Sequence, residues 1–543
     1  MGCMRTVGRE LVALLLAAPA AGQQPKVDAV AYFYKLSIPD TGSVVTGLAG
    51  VVVKMTEASD TIRLDLVGME VDSVWRTDGY DSAPSTSLYF QYDGRVLRTV
   101  VSRNSVGNAA IQIKYHGNPQ DGLLIGSTAR GRRAAFADNW PKRARYWLPT
   151  LDHPGDKARV MFWVEAPDGW LVVSNGTPQP CSRREGERRL VCRWAESHPI
   201  PTYTMVIGAG EFTVSKHRPV INGRDTIAIE VWTYPEDSMF ADSVPFRRAT
   251  EIVEVMQRLI GPFPYEKLAH VQSSTKFGGM ENSSAIFYAE KPYVDRKMGE
   301  GVVRHETSHQ WFGDAVTERD WPDIWLSEGF ATYFDGVIGA ALHGDSVLAS
   351  AMRANAEDYF KSAVTDRPIV DSGYAADPIK LLNANSYPKG AWVLHMLRGA
   401  IGDSAFFRAL RTYYRTYRDS TATSEDLQRV MEKEARTDLG WFFHQWLYQP
   451  GYPQLDVSWQ YDAGARKVMV GIIQRQKPEW GLFRLPVVTL EFRGNNGAAL
   501  RRDVAVASGR ETVARFDVPF APTEVRVDPD GKLLLKVTAI GRR

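Results

Sequence analysis

The sequence predicts a multidomain α+β protein in which two β-rich regions flank a mainly helical middle region. Apolar and polar residues alternate, as in strands, between residues 27 and 215. Apolar residues recur at helical spacing between about residues 236 and 450, and the alternation returns after residue 453. A chain of 543 residues is also too long for one hydrophobic core, so roughly three or four domains are expected.

The first region has the pattern of a large β domain. Ile62, Leu64 and Leu66 alternate with polar residues, which places their side chains on one face of a strand. Asp93-Gly94 lies between two further apolar segments and is a signal for a hairpin turn. We therefore predict an N-terminal β-sheet domain, shaped as a saddle or a sandwich, over residues 27–215.

The middle region opens with a helix signal. Residues 242–245 read Asp-Ser-Val-Pro, a combination that favours the start of a helix. Ile252, Val255 and Met256 then follow at helical spacing, and Gly261 precedes a proline that ends the predicted helix.

The last region, residues 453–543, returns to strands. Leu455, Val457 and Trp459 alternate with polar residues. About 90 residues suffice for a small C-terminal β sandwich. The mainly helical region between the two β-rich parts then spans residues 216–452.

Composition is ordinary for a soluble globular protein, with 44% hydrophobic and 24% charged residues. The formal net charge of +2 gives no reason to expect nucleic acid as a partner. Nothing in the sequence indicates the oligomeric state.

The N-terminus has the outline of a secretory signal peptide over residues 1–22. A short apolar run, residues 11–21, follows Arg5 and Arg9 and ends in small residues. We predict cleavage between Ala20 and Gln23, a secreted or periplasmic location, and no stable membrane anchor after cleavage, because the run is too short to span a bilayer.

Cleavage at that point would leave the mature chain with two cysteines, Cys181 and Cys192. The segment between them has a central glycine and is typical of a hairpin. Two cysteines in an exported protein can pair, and closing this loop would contribute about 3 kcal/mol to stability. We predict a disulfide; the alternative is two free thiols.

The most specific feature for function is the segment His305-Glu306-Thr307-Ser308-His309, which reads HExxH. Positions four apart share one helix face, so both histidines can bind one metal ion. Glu328, nineteen residues after His309 and set among apolar residues, is the predicted third ligand. Two imidazoles and one carboxylate leave a coordination position open, as in catalytic zinc sites. Glu306 is the predicted proton acceptor, and one zinc ion per chain is expected.

Further motifs accompany this segment in a particular order. A β-region run at residues 144–149 and Asp152-His153-Pro154 come first, and Tyr387-Pro388-Lys389-Gly390 follows the metal-binding segment. A motif upstream of HExxH completes the set, and its five residues are Gly278, Gly279, Met280, Glu281 and Asn282. Together these motifs resemble the gluzincin aminopeptidases, the group of aminopeptidase N and leukotriene hydrolase, over roughly residues 30–455.

The resemblance implies a zinc aminopeptidase with a thermolysin-like catalytic domain over residues 216–452. Its substrates would be peptides with a free N-terminus. In the family, the glutamate that Glu281 matches binds the substrate's α-amino group, and the tyrosine that Tyr387 matches stabilises the oxyanion. As alternatives, Glu281 would be a loop carboxylate that caps a helix, and Tyr387 an ordinary buried tyrosine.

Two departures from the family pattern carry expectations of their own. The family usually has Gln or Glu five residues before the arginine matched by Arg145, whereas this chain has Trp140. We predict that Trp140 shapes the pocket for the first substrate residue; the alternative is that it packs the domain junction beside Pro141. The chain also ends after the small β domain, without the long helical domain of many relatives, so a more open cleft is expected.

Two other functions compete with the aminopeptidase prediction. One is a thermolysin-like endopeptidase, against which Glu281 argues because it would bind a free amine. The other is a non-catalytic peptide-binding protein on a protease scaffold, against which the complete set of Glu306, Tyr387 and three metal ligands argues.

Overall fold

The computed structural model describes residues 27–77, 85–183, 188–507 and 509–542. The predicted signal peptide, residues 1–22, lies outside these residues and stays a prediction. In the part of the chain that is described, no helix combines the length and the apolar character needed to cross a bilayer.

The N-terminal region is built of strands, as predicted. Its strands are β1 (Val27–Ser37), β2 (Val45–Asp65), β3 (Glu70–Arg76), β4 (Thr86–Ser87), β5 (Phe90–Tyr92), β6 (Val96–Gly117), β7 (Leu123–Ser127), β8 (Arg133–Ala137), β9 (Lys157–Pro167), β10 (Leu171–Ser174), β11 (Thr177–Arg183), β12 (Arg189–Pro201) and β13 (Ile207–Gly210).

These strands form two sheets. The larger one has the order β11-β12-β9-β1-β2-β6-β3-β4, with β5 paired to β6, and the smaller one has the order β10-β13-β8-β7. The predicted hairpin at Asp93-Gly94 is present as the antiparallel pair β5–β6. Ile62 and Leu64 are buried, as their alternation predicted.

The predicted disulfide is present in the structure. It joins Cys181 and Cys192 across the antiparallel pair β11–β12. The paired strands hold the two cysteines opposite one another, so the bridge reinforces an existing strand pair at the edge of the larger sheet.

The middle region contains all the α-helices among the described residues. Its elements are β14 (Thr213–Lys216), β15 (Val220–Asn222), β16 (Asp225–Thr233), α1 (Ser238–Ser243), α2 (Ala249–Leu259), β17 (Lys267–Ser273), β18 (Gly279–Met280), β19 (Ala285–Ala289), α3 (Lys291–Val294), α4 (Glu300–His309), β20 (Val316–Glu318), α5 (Trp325–His343), α6 (Ser346–Lys361), α7 (Gly390–Ile401), α8 (Asp403–Tyr417), β21 (Ser420–Ala422), α9 (Ser424–Ala435) and α10 (Gly440–Phe443).

A mixed sheet precedes most of these helices. Its order is β14-β16-β17-β19-β18, with β15 paired to β16. Strands β16, β17 and β19 run parallel, and the short strand β18 pairs antiparallel at the edge. The sheet places β18, which carries Gly279 and Met280 of the Gly-Gly-Met-Glu-Asn motif, beside helix α4, which holds two candidate metal ligands.

The helix start predicted at residues 242–245 is wrong. Helix α1 ends at Ser243, and α2 begins only at Ala249. The residue before a proline is disfavoured in helical geometry, and Val244 accordingly leaves it, with φ −118° and ψ −81°. The helical spacing of Ile252, Val255 and Met256 is confirmed, because all three are buried on α2.

The C-terminal region has the predicted β-sandwich character. Its strands are β22 (Gln454–Asp462), β23 (Lys467–Gln474), β24 (Leu485–Gly494), β25 (Ala499–Val506), β26 (Glu511–Asp517), β27 (Pro522–Val527) and β28 (Lys536–Arg542). They form two sheets, ordered β26-β23-β22-β28 and β25-β24-β27, whose buried side chains include Val457, Val470 and Leu490.

Candidate metal centre and active site

The two histidines of HExxH lie on one face of helix α4, as their spacing predicts. Their Nε2 atoms are 3.2 Å apart. Glu328 lies in the first turn of helix α5, and its Oε2 is 3.4 Å from Nε2 of each histidine. The structure therefore brings His305, His309 and Glu328 together, although α4 and α5 are separated by a strand and several turns.

This donor set fits a zinc ion. Tetrahedral bonds of about 2.0–2.2 Å place neighbouring donor atoms roughly 3.3–3.5 Å apart, close to the three distances observed. Oε2 of Glu328 is buried and, among the described residues, accepts no hydrogen bond. A buried carboxylate oxygen without a hydrogen bond is costly, so a cation is its natural partner.

Electrostatics at the centre also favours a cation. Burial by itself would raise the pKa of Glu328, but the imidazoles of His309 and His305 outweigh it and hold that pKa below the usual range. For His309, burial lowers the pKa, while Glu328 and Glu281 more than compensate and raise it. The buried negative charge that favours a proton on His309 would favour a metal ion in its place.

A second layer of contacts orients His309. Its Nδ1 lies 3.2 Å from the carbonyl oxygen of Phe312 and 2.9 Å from Oγ of Ser327. A carbonyl can only accept, so Nδ1 carries the hydrogen and Nε2 keeps its lone pair for a metal. Ser327 directly precedes Glu328, so one turn of α5 provides a ligand and also orients another.

Close packing of two helices brings Tyr387 to the centre. A Cβ on Gly329 of helix α5 would lie 2.9 Å from Cα of Gly390, the first residue of α7. Only glycine at both positions permits this backbone contact. Tyr387 lies in the π-helical turn just before α7, and the contact therefore places it near Glu328.

The Tyr387 ring lies parallel to the His305 ring, with centroids 6.1 Å apart. Burial, together with the negative charge of Glu328, raises the pKa of Tyr387 well above its usual value. The hydroxyl therefore stays protonated at neutral pH and is available as a hydrogen-bond donor.

Glu306 lies beneath the motif strand β18. A Cβ on Gly279 would be 2.2 Å from Oε1 of Glu306, so any larger residue would displace this carboxylate. Glu306 is 5% exposed, and burial raises the pKa of its carboxyl well above the usual value. A carboxylate with a raised pKa is a better proton acceptor.

Glu281 joins the same site. Its carboxylate, that of Glu306 and an imidazole nitrogen of His309 all lie within 4.8 Å of one another. Burial raises the pKa of the Glu281 carboxyl to about 7, although the nearby imidazole of His309 opposes this shift.

The other residues of the Gly-Gly-Met-Glu-Asn motif differ in exposure. Gly278 is exposed and Gly279 is partly exposed, so the edge of β18 is open on its free side. Met280 is 3% exposed. Asn282 is fully buried, and within the described structure neither of its side-chain amide atoms has a hydrogen-bond partner.

Trp140 is 2% exposed. It makes edge-to-face contacts with Phe277 and Trp321, at centroid distances of 5.8 and 5.5 Å. Phe277 directly precedes Gly278, so Trp140 packs against the loop that leads into the motif. Its contribution to the first-residue pocket stays a prediction.

Two polar neighbours of Trp140 are engaged elsewhere. Asp138 pairs with Arg143 at 2.9 Å and accepts from the backbone of Lys276 at 3.2 Å. Asn139 donates to the carbonyl of Met205 and accepts from Trp147. Both side chains therefore serve the fold.

Sequence reasoning missed several residues that support the site. Ser327 and Gln310 each lie next to a predicted ligand in the sequence, and this position could have identified them as candidates for supporting the site. Glu318 is fully buried, and among the described residues neither carboxylate oxygen has a hydrogen-bond partner. Nothing in its sequence context singled it out.

Two imidazoles and a carboxylate around an open position, with a buried carboxylate beside them, form the arrangement of a zinc metallopeptidase centre. Residues 29–204 match the family model "Peptidase M1 N-terminal domain", and residues 246–446 match "Peptidase family M1 domain". The chain therefore belongs to the peptidase M1 family, in agreement with the resemblance seen in its motifs.

Similar proteins include "Probable aminopeptidase 2" of Sulfurisphaera tokodaii, which is 31% identical over 73% of this chain and 50% of its own length. "Leucyl aminopeptidase" of Saccharolobus solfataricus is 27% identical over 75% of this chain and 52% of its own. "Aminopeptidase N" of Streptomyces lividans is 26% identical over 74% and 46%. The chain thus spans about half the length of the curated relatives it matches.

The fold is also that of a solved structure, "M1 zinc metallopeptidase from Deinococcus radiodurans". The two share a TM-score of 0.68 with 23% sequence identity, over 79% of this chain and 95% of the other.

Proposed function

We propose that this protein is a zinc-dependent aminopeptidase that removes the first residue of peptides. The observation that carries this proposal is the position of Glu281, within 4.8 Å of both His309 and Glu306. In an amino acid residue the α-nitrogen lies roughly 3 Å from the carbonyl oxygen of the same residue. An amine anchor this close to the metal ligands leaves room for one residue between amine and scissile bond.

The side chains divide the chemistry between them. Zinc, held by His305, His309 and Glu328, would polarise the scissile carbonyl and lower the pKa of water. Glu306 takes a proton from the attacking water and passes it to the leaving amine.

The remaining groups hold the substrate and the developing charge. Tyr387 donates a hydrogen bond to the developing oxyanion. Glu281 pairs with the α-ammonium of the substrate by a charge-assisted hydrogen bond. The free edge of β18 offers backbone groups to an extended substrate.

The relatives named as aminopeptidases support this function. An endopeptidase needs space for chain on the amine side of the scissile bond, and Glu281 lies in that direction. A non-catalytic peptide-binding role has no need for Glu306 and Tyr387 beside a three-ligand metal centre. Both alternatives therefore fit the geometry less well.

Replacing Glu281 tests the proposed function directly. Glu281→Gln keeps the shape and loses the charge, so kcat/KM for amino acid 4-nitroanilides should fall roughly 10- to 100-fold. Any residual cleavage of the same substrates with an acetylated N-terminus should change far less. Cleavage of the free and of the acetylated substrates is measured with steady-state kinetics at equal metal content. Efficient cleavage of N-blocked peptides by the wild type would overturn the aminopeptidase proposal.

Tyr387→Phe should lower kcat by roughly 10²–10³-fold with little change in KM, because the oxyanion exists only beyond the ground state. Tyr293→Phe is the matched control. Tyr293 is fully buried, and its hydroxyl has no hydrogen-bond partner in the described part of the chain, so its loss should leave kcat unchanged. An effect of Tyr387→Phe on KM alone would argue against the assigned role.

We further propose that the protein acts outside the cytoplasm, as a secreted or periplasmic enzyme. The support is the predicted signal peptide together with a Cys181–Cys192 disulfide. N-terminal sequencing of the protein recovered from its host should find a first residue between 21 and 23. Titration of the denatured, unreduced protein should find no free thiol, and two after reduction. Two free thiols before reduction would contradict the pairing in the exported protein.

A further inference from the structure

Gln310 links the metal-binding helix to the loop that carries Glu281. It directly follows His309 and is fully buried. Its Oε1 accepts from the backbone N–H of Ser284 at 2.8 Å, and its Nε2 donates to the carbonyl of Glu281 at 2.7 Å. A third hydrogen bond runs from Nε2 to Oδ2 of Asp314, at 2.8 Å.

These partners fix the orientation of the Gln310 amide. The N–H of Ser284 can only donate, so it must face the amide oxygen, and the carbonyl of Glu281 can only accept, so it must face the amide nitrogen. Both backbone groups lie in buried residues, where polar groups need a hydrogen-bond partner, and Gln310 provides it. A side chain lacking either a donor or an acceptor would therefore leave one of them unpaired.

The opposite side of the same loop is held by the N-terminal β domain. Nδ2 of Asn175 donates to the carbonyl of Ser283 at 2.6 Å. The N–H of Gly176 donates to Oγ of Ser284 at 2.8 Å, and that hydroxyl donates to Glu196 at 3.1 Å. The loop is thus fixed between the β domain and helix α4, and Gln310 is its contact next to a metal ligand.

We propose that Gln310 is a positioning residue that sets the distance between the Glu281 carboxylate and the metal ligands. The inference rests on the proposed aminopeptidase function, because it concerns recognition of the substrate amine. The amide of Gln310 is engaged by Ser284, Glu281 and Asp314, so Gln310 acts on the site through the backbone of Glu281 and Ser284.

Weakening the contact between Glu281 and the substrate's α-ammonium should affect KM more than kcat. The α-ammonium is bound in the ground state and in the transition state alike, so weakening its anchor raises KM and leaves kcat largely unchanged. A charge-assisted hydrogen bond depends strongly on distance and alignment, so a small displacement of the carboxylate weakens its contact with the ammonium. We therefore expect Gln310→Met, which has a similar volume and no amide, to raise KM on the order of 10-fold.

The chain offers a matched control in Gln445. This glutamine also bridges backbone groups: its Oε1 accepts from the N–H of Arg484 at 2.8 Å, and its Nε2 donates to the carbonyl of the same residue at 3.2 Å. It is 6% exposed and lies far along the chain, after the helices of the site. Gln445→Met should lower thermal stability as Gln310→Met does, without the effect on KM.

The experiment compares the wild type, Gln310→Met and Gln445→Met. Three properties are measured: zinc per chain, backbone hydrogen exchange in residues 278–284, and the steady-state kinetics (kcat and KM) for the best of a panel of amino acid 4-nitroanilides. For Gln310→Met we expect unchanged zinc content, faster exchange in residues 278–284, and a raised KM. For Gln445→Met we expect wild-type values of all three.

Each outcome decides the proposal. Unchanged exchange in residues 278–284 of Gln310→Met, or an unchanged KM, would overturn it, as would loss of zinc. If the wild type cleaves no free-amine substrate, the proposed function is wrong, and the exchange comparison then decides whether Gln310 positions the loop. If Gln310→Met does not fold, Gln310→Asn replaces it, because an amide one methylene shorter cannot reach both backbone groups.

Discussion

Glu306→Gln is expected to keep about one zinc ion per chain and to lose roughly 10²–10⁴-fold in kcat. The amide has the same shape as the carboxylate, so it fits beneath Gly279, where a Cβ would already be 2.2 Å from Oε1. It cannot accept a proton from water, however, and it cannot return one to the leaving amine. The variant should therefore bind substrate with a near-normal KM and turn it over very slowly.

Glu300→Gln is the matched control on the same helix. Glu300 pairs with Arg304 and with His343, away from the metal ligands, so its replacement should leave kcat within a few-fold of the wild type. Near wild-type turnover in Glu306→Gln would refute its role as proton acceptor. Loss of zinc from Glu306→Gln would instead identify it as a ligand.

The sequence predicted the parts of the site that depend on local geometry. The spacing of His305 and His309 maps directly onto one helix face, and the structure places both on α4. Strand alternation likewise predicted the two β-rich regions, because burial of one face enforces a period of two. In both cases the signal lies within a few consecutive residues.

Features that depend on distant parts of the chain were not predictable in this way. The contact between Gly329 and Gly390 joins residues in different helices. Gly390 belongs to a motif noted in the sequence, but nothing in the sequence pairs it with Gly329. The role of Gln310 depends on the backbone of Glu281 and Ser284, far upstream. The six-stranded sheet of the middle region also went unpredicted, because its central strands are buried on both faces and lack alternation.

For Trp140, the sequence alone could not separate two interpretations. Its side chain could form a wall of the pocket for the first substrate residue, or it could pack at the domain junction. The structure shows edge-to-face packing of Trp140 on Phe277 and Trp321, and these contacts are what junction packing requires. They also place the indole against the loop that enters the Glu281 motif, so the two interpretations are compatible in one position.

His309→Ala should abolish both metal binding and peptide hydrolysis. His309 is the most buried of the three ligands, with a side chain 1% exposed, and two contacts to its Nδ1 hold it in place. Its removal leaves two donors. It also leaves Oε2 of Glu328, which already lacks a hydrogen bond among the described residues, with His305 as its remaining neighbour in the ligand set. Loss of a group that merely supports a ligand costs 10–100-fold in metal affinity, so loss of a ligand should cost more.

The measurement is zinc per chain after desalting, with circular dichroism to verify folding and the 4-nitroanilide assay for activity. His270→Ala is the matched control. His270 is fully buried, and its ring nitrogen contacts the hydroxyl of Tyr288 at 2.9 Å, outside both clusters of candidate ligands. The His270→Ala variant should be less stable than the wild type and should keep about one zinc ion per chain. A folded His309→Ala protein with full zinc content would show that the metal is bound elsewhere. The proposed mechanism, which needs the metal at these three ligands, would then be wrong.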